Sequence, residues 1–235
     1  MSEQTMTPVM ANLVFIFALY FVLQLAANAL KLAFRGDPAH MQTVGFASSI
    51  VSYAYLILAP LSAALVYSLD FRVNIPTLLP DLVLLVLGLL VFLFVLLLDI
   101  HLRLVLRRDR TAILDVDEQY IISPPGPAVW ELALFNYVLL KSFAYEIFLR
   151  GFALTTLLAL TDQPVAAICI VAVLEFLLRP HGERLVPTLI VSALFSIIYY
   201  ATSGLLVTII IRAVGSYFLS LYMVYLTLKG KGGTP

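Results

Sequence analysis

Seven runs of apolar residues follow one another along this chain, most of them long enough to cross a bilayer as a helix. They span residues 8–34, 43–69, 82–106, 128–160, 164–179, 185–201 and 205–228. The hydrocarbon core of a bilayer is about 30 Å thick and takes about 20 helical residues to cross. Within it only a helix or a closed barrel satisfies its own backbone polar groups. The composition agrees: 62% of the 235 residues are hydrophobic and 12% are charged, where a soluble domain is about a quarter charged. The chain is therefore expected to be an all-α polytopic integral membrane protein of about seven transmembrane helices.

The links between the runs are short, with one exception. Pro60 interrupts the second run and predicts a kink. Residues 70–80 form a polar link, and residues 107–127 form a charged loop that closes on Pro124, Pro125, Gly126 and Pro127, a sequence no helix tolerates. That loop divides the chain into 1–127, three helices and a cytoplasmic loop, and 128–235, four helices and a basic tail. The fourth run, at 33 residues, exceeds what a bilayer requires and is expected to tilt, kink or begin as an interfacial turn at Trp130 and Glu131. The fifth is short. Residues 1–7 are polar without a basic region, so the first run is expected to be a retained span.

Formal net charge is zero, which gives no footing for nucleic acid. The single cysteine, Cys169, lies in an apolar run without companions for a disulfide or a metal site and is expected to pack as a small side chain. His40, His101 and His181 are dispersed at loops or span ends, and no metal or other cofactor is expected. Tyr199 and Tyr200 precede the turn Thr202-Ser203-Gly204, a position that suits interface anchors. Ser196 and Ser216 have no histidine or lysine at a spacing that suggests serine catalysis.

Charged residues inside the runs carry the functional signal, because placing one in hydrocarbon costs roughly 2.5–3.5 kcal/mol on insertion scales. Lys141, Glu146, Arg150, Glu175, Arg179 and Arg212 lie within or at the edges of the fourth, fifth and seventh runs. Glu146 and Arg150 are one helical turn apart on one face, and Glu175 and Arg179 repeat the spacing. Counting inward from Asp162 at about 1.5 Å per residue places Arg150 level with Glu175, and Glu146 level with Arg179. Arg212 reaches inward from the Thr202–Gly204 turn. Two readings follow: an ion-pair network that fixes helix register, or a polar cavity. Three arginines and a lysine against two glutamates would invite an anion into such a cavity, such as a lipid phosphate or a carboxylate.

The last four runs, roughly residues 130–228, resemble the CAAX-protease and bacteriocin-processing family, CPBP or Abi, which includes the type II CAAX prenyl endopeptidases. The family's first motif, Glu-Glu-x-x-x-Arg-Gly, falls on Tyr145, Glu146, Arg150 and Gly151. Its second, Phe-x-x-x-His, falls on the segment Glu175-Phe176-Leu177-Leu178-Arg179. Its last, a histidine followed four residues later by Asn or Asp, falls on Arg212 and Ser216 after a Tyr199-Tyr200-Ala201-Thr202-Ser203-Gly204 turn. Glu146, Arg150 and Gly151 keep the pattern. Tyr145, Arg179, Arg212 and Ser216 depart from it.

The resemblance implies a glutamate that activates water, with histidines and an Asn that hold the oxyanion or place the water. Tyrosine, with a pKa of about 10, is protonated at neutral pH and cannot serve as the base. Arginine keeps its proton and does not bind metal, though it can hold an oxyanion. Glu146 remains as the one carboxylate of the motif, with Arg150 on its own face. The expected function is a CPBP-like membrane protein without peptidase activity, a binding or accessory subunit whose partner is another membrane protein or an anionic lipid. The alternatives are an intramembrane endopeptidase using Glu146, and an anionic-lipid-binding or transport component. The last is disfavoured by the lack of an inverted repeat.

Basic residues set the orientation. Lys31, Arg35, Arg103, Arg107, Arg108, Arg110, Arg179 and Arg184, with Lys229 and Lys231, fall on one side of a seven-span chain, and Arg72 on the other. The N-terminus is thus expected outside and the C-terminus in the cytoplasm, in what reads as a bacterial cytoplasmic (inner) membrane. A cysteine placed at residue 2 of a Cys169→Ser chain should react with a membrane-impermeant maleimide from the outer face of intact cells. Labelling from the cytoplasmic face alone would reverse the topology.

Overall fold

The computed structural model describes residues 3–33, 38–67, 79–106, 131, 133–178, 185–202 and 204–231. These form seven helices: α1 (Glu3–Ala33), α2 (Pro38–Tyr67), α3 (Leu79–Leu106), α4 (Ala133–Thr161), α5 (Pro164–Leu178), α6 (Leu185–Thr202) and α7 (Leu205–Lys231). Six of them are long and apolar enough to cross a membrane; α5 is an apolar helix of 15 described residues. The chain is a polytopic helical membrane protein. Most of the 70–80 link, the 107–127 loop, Trp130, Arg179, His181 and Arg184 lie outside the described residues.

Several boundaries differ from the sequence expectation. The first helix begins at Glu3 and takes in Pro8, with Asn12 Nδ2 donating to Pro8 O at 3.0 Å. The last helix continues to Lys231, past the expected end of the apolar run. In both places helical hydrogen bonding extends beyond the hydrophobic stretch. Helix α2 runs through Pro60 as one element.

Helix α4 is the centre of the bundle. In its apolar window 72% of residues are buried, against 11% for α3. Helices α1, α2, α5, α6 and α7 pack around it, while α3 lies against α6 and α7. Two segments of α4, Asn136–Leu140 and Ile147–Leu154, are π-helical. A π-helix uses i→i+5 hydrogen bonds and is mostly confined to single turns, frequently at functional sites. Here it covers all of Ile147–Leu154, every residue of which is buried. The extra length of the fourth run is accommodated partly in this wider winding.

The links around the core are held locally. Asp162 adopts a left-handed conformation (φ 50°) and its N–H bonds Leu158 O at 3.2 Å, which reverses the chain between α4 and α5. Thr202 Oγ1 donates to Ile198 O at 2.8 Å and accepts from Gly204 N at 3.2 Å, which closes the turn between α6 and α7.

One apolar cluster joins both halves of the chain: Leu13, Ile16 and Tyr20 of α1 and Leu56 of α2 pack with Phe148 and Phe152 of α4 and Val171 of α5. Polar contacts tie the same helices. Tyr20 OH donates to Leu178 O (3.2 Å), Gln24 Nε2 to Ser52 Oγ (3.0 Å) and Asn136 Nδ2 to Ser49 Oγ (3.0 Å). Such bonds and close packing drive helix association in lipid, where apolar side chains gain little by leaving the tails.

Two expectations are corrected. Cys169 is exposed rather than packed, because α5 buries Ala167, Val171, Ala172, Glu175 and Leu178 on the opposite side. Tyr199 is buried and its hydroxyl lies 3.0 Å from Thr155 Oγ1, so it is a core residue; Tyr200, one residue on, is the exposed one of the pair.

Helix α3 approaches its neighbours through two glycines. A Cβ on Gly215 would meet the ring of Phe92, which is itself buried against Phe195, centroid to centroid 5.2 Å. A Cβ on Gly88 would meet only the terminal methyls of Ile198 and Ile211, at 2.6 and 2.8 Å. Gly215→Ala should therefore destabilise by about 1–3 kcal/mol through overpacking. The gain of about 1 kcal/mol in helix propensity applies at both positions, but at Gly88 it is opposed only by the shift of two terminal methyls. Thermal unfolding in detergent should rank Gly215→Ala clearly below Gly88→Ala. Equal midpoints would contradict this packing.

Candidate functional site

The apolar core surrounds a closed ring of four charged side chains. Glu146 and Arg150 come from α4, Glu175 from α5 and Arg212 from α7, and the first three are 0% exposed. Arg212 Nε donates to Glu146 Oε1 at 2.6 Å, and its Nη2 donates to Glu175 Oε1 at 2.9 Å. Arg150 Nη1 donates to Glu175 Oε2 at 2.7 Å and lies 3.6 Å from Glu146 Oε1. Both oxygens of Glu175 are thus used, one by each arginine. The ring holds two positive and two negative charges.

Helix α6 supplies the floor. Arg150 Nη2 donates to Ser192 O at 2.8 Å and Ser192 Oγ at 3.0 Å, and Ser196 Oγ donates to the same carbonyl at 2.8 Å. The Phe195 ring lies beneath both guanidinium groups, 5.6 Å from Arg150 Cζ and 4.7 Å from Arg212 Cζ. A cation over an aromatic face is attracted by the ring quadrupole, more strongly when water is excluded. Tyr145, buried beside Tyr53, offers a second face 5.4 Å from Arg212 Cζ. Four helices therefore meet at one hydrogen-bonded centre, where the four described charges balance.

The geometry explains how ions persist in this core. Desolvation opposes each charge, and the mutual attraction offsets it only where hydrogen bonds are short and remaining donors and acceptors find partners. Most do. Glu146 Oε2 and Arg150 Nε are buried and make no hydrogen bond among the described residues. No group of three or more His, Cys, Asp or Glu able to hold a metal ion occurs among the described residues.

The structure places the other sequence candidates as follows. Lys141 is half-buried, with Nζ 4.5 Å from the Tyr137 ring centroid. Arg179 lies outside the described residues. The surplus of cations foreseen from sequence rests on those two residues, since the four ring members balance. Ser216, one turn beyond Arg212, is buried, and its carbonyl accepts from Ser220 Oγ at 2.7 Å. His40 and His101 are exposed. Sequence reasoning missed Ser192 and Phe195. The available signal was the pair Ser192 and Ser196 at a four-residue spacing within an apolar run, with Phe195 on the same face.

Removing one member of a buried pair strands the other charge and costs about 3–5 kcal/mol. Glu175 serves both arginines through both oxygens, whereas Glu146 uses one oxygen. Glu175→Gln should therefore lower the unfolding midpoint more than Glu146→Gln. A double-mutant cycle on Arg150 and Glu175 should show a coupling of about 0.5–3 kcal/mol. Additive effects would mean that the two do not act as a pair.

Residues 127–218 match the model of a family described as Rce1-like, type II CAAX prenyl endopeptidase Rce1-like. No curated protein and no solved structure matches the chain. The matched segment contains all four ring residues, Tyr145, the α6 floor and Ser216. Over those residues this multi-pass membrane protein is similar to the Rce1-like type II CAAX prenyl endopeptidases, consistent with the resemblance to the CPBP family.

Proposed function

We propose that this protein is a CPBP-like membrane protein without peptidase activity, acting as a binding or accessory subunit for another membrane protein. One observation carries the reading: both carboxylates that could serve as a general base are held by guanidinium groups in a closed ring away from solvent. A base must reach the proton it takes and must be free to accept it. Glu175 has both oxygens engaged, and Glu146 shares one oxygen with Arg212 and faces Arg150. The family resemblance would set a histidine at Arg212 and a second glutamate at Tyr145. Here those positions supply a permanent cation and an aromatic face toward it. Large apolar side chains along α3, including Val86, Leu90 and Phe94, are exposed and suit lipid or a partner's transmembrane helix.

A second reading, an endopeptidase that uses Glu146, is favoured by the unpaired Oε2 of that residue, an acceptor with no partner among the described residues. The two readings separate in one assay. The purified protein in lipid nanodiscs is incubated with a farnesylated peptide bearing a C-terminal CAAX sequence. The expected result is no cleavage above that of the Glu146→Gln variant. Cleavage by the native chain that disappears in Glu146→Gln would establish the endopeptidase.

A further inference from the structure

The two cations of the ring are not equivalent. Arg150 is fixed by its own helix and by Ser192 as well as by Glu175. Both hydrogen bonds of Arg212 go to carboxylates, one on α4 and one on α5. Arg212 is also the one ring member with measurable exposure: its side chain is 5% accessible, against 0% for the other three. Its head lies on the Phe195 ring, with Tyr145 nearby. Two carboxylates and two aromatic faces around a planar cation are the elements of a guanidinium receptor. Glu146 Oε2, fully buried and without a hydrogen-bond partner among the described residues, gives that receptor acceptor capacity beyond what Arg212 uses.

The geometry points to Glu146, Glu175, Phe195 and Tyr145 forming a guanidinium-binding site whose ligand is supplied in cis by Arg212. Helix α7 packs on α3, α4 and α6, and the head group of its Arg212 bridges the carboxylates of α4 and α5. The site accepts a free guanidinium ion when the tether is removed. The specificity is for a planar cation with several N–H donors. A spherical ammonium lacking donors cannot bridge the two carboxylates, and neutral urea leaves their charge uncompensated. Binding to the folded state raises its stability by mass action.

The test uses the full chain in detergent with Arg212→Ala, read by thermal unfolding. The variant should lose about 5–10 °C. Guanidinium chloride at about 10–20 mM should restore at least half of that loss. Equal concentrations of sodium chloride, tetramethylammonium chloride or urea should not, and the native chain should not gain. A response to guanidinium no larger than to sodium, or an equal gain in the native chain, overturns the proposal. If Arg212→Ala does not fold alone, purifying it with guanidinium present should return folded protein. The double variant Arg212→Ala, Glu146→Gln, with one carboxylate left to pair with Arg150, should fold without it and show no guanidinium response. A double variant that fails to fold, or a single variant that guanidinium does not recover while the double folds, also overturns it. The readout is stability, so the outcome is independent of whether the chain cleaves peptides.

Discussion

The pairing of two guanidinium groups with two carboxylates inside an apolar bundle is the constraint to which the rest of the molecule answers. Unpaired, each charge would oppose insertion by roughly 2.5–3.5 kcal/mol. Paired across three helices and hydrogen-bonded to a fourth, they fix which faces of α4, α5, α6 and α7 must meet. Apolar burial as such supplies little specificity in a membrane, because lipid tails solvate apolar side chains nearly as well; close packing and polar contacts decide. A helix rotated by one residue would still bury leucines, but it would strand an ion. The ring therefore selects one arrangement among many that are similar in hydrophobic terms.

The supporting structure follows from that selection. Helix α4 carries two ring members and is the most buried span, and its π-helical segment Ile147–Leu154 contains Arg150. Small residues let neighbours come near: Ala144, Ala153 and Ala167 are fully buried, and Gly215 admits Phe92. Phe92 in turn packs on Phe195, the aromatic floor beneath both arginines. Helix α3, which carries no ring residue, is coupled to the centre by this aromatic contact. Helices α1 and α2 complete the enclosure, with Tyr53 against Tyr145 and Tyr20 bonded to the carbonyl of Leu178 in α5.

The same network bears on chemistry. A hydrolytic base requires a carboxylate with a proton-accepting position open to water. In this core the carboxylates serve as acceptors for cations that keep their protons. Structural locking and catalysis compete for the same lone pairs, and here locking takes three of the four glutamate oxygens.

The sequence by itself determined the membrane-spanning class, the succession of helices and the choice of Glu146, Arg150, Glu175 and Arg212 as residues that need an explanation. Hydrophobic run length and the cost of charge in hydrocarbon are local properties, readable one segment at a time. The near-equal depth of Arg150 and Glu175 was also legible, because a short link between antiparallel helices fixes relative height. Tertiary structure alone decided the partners. It gave Glu175 to two arginines at once and turned Ser192 and Phe195 toward the centre. It buried Tyr199 and exposed Cys169. Those outcomes depend on the rotation of each helix about its own axis. In segments apolar on every side, sequence periodicity leaves that rotation undetermined, and only the contacts between helices set it.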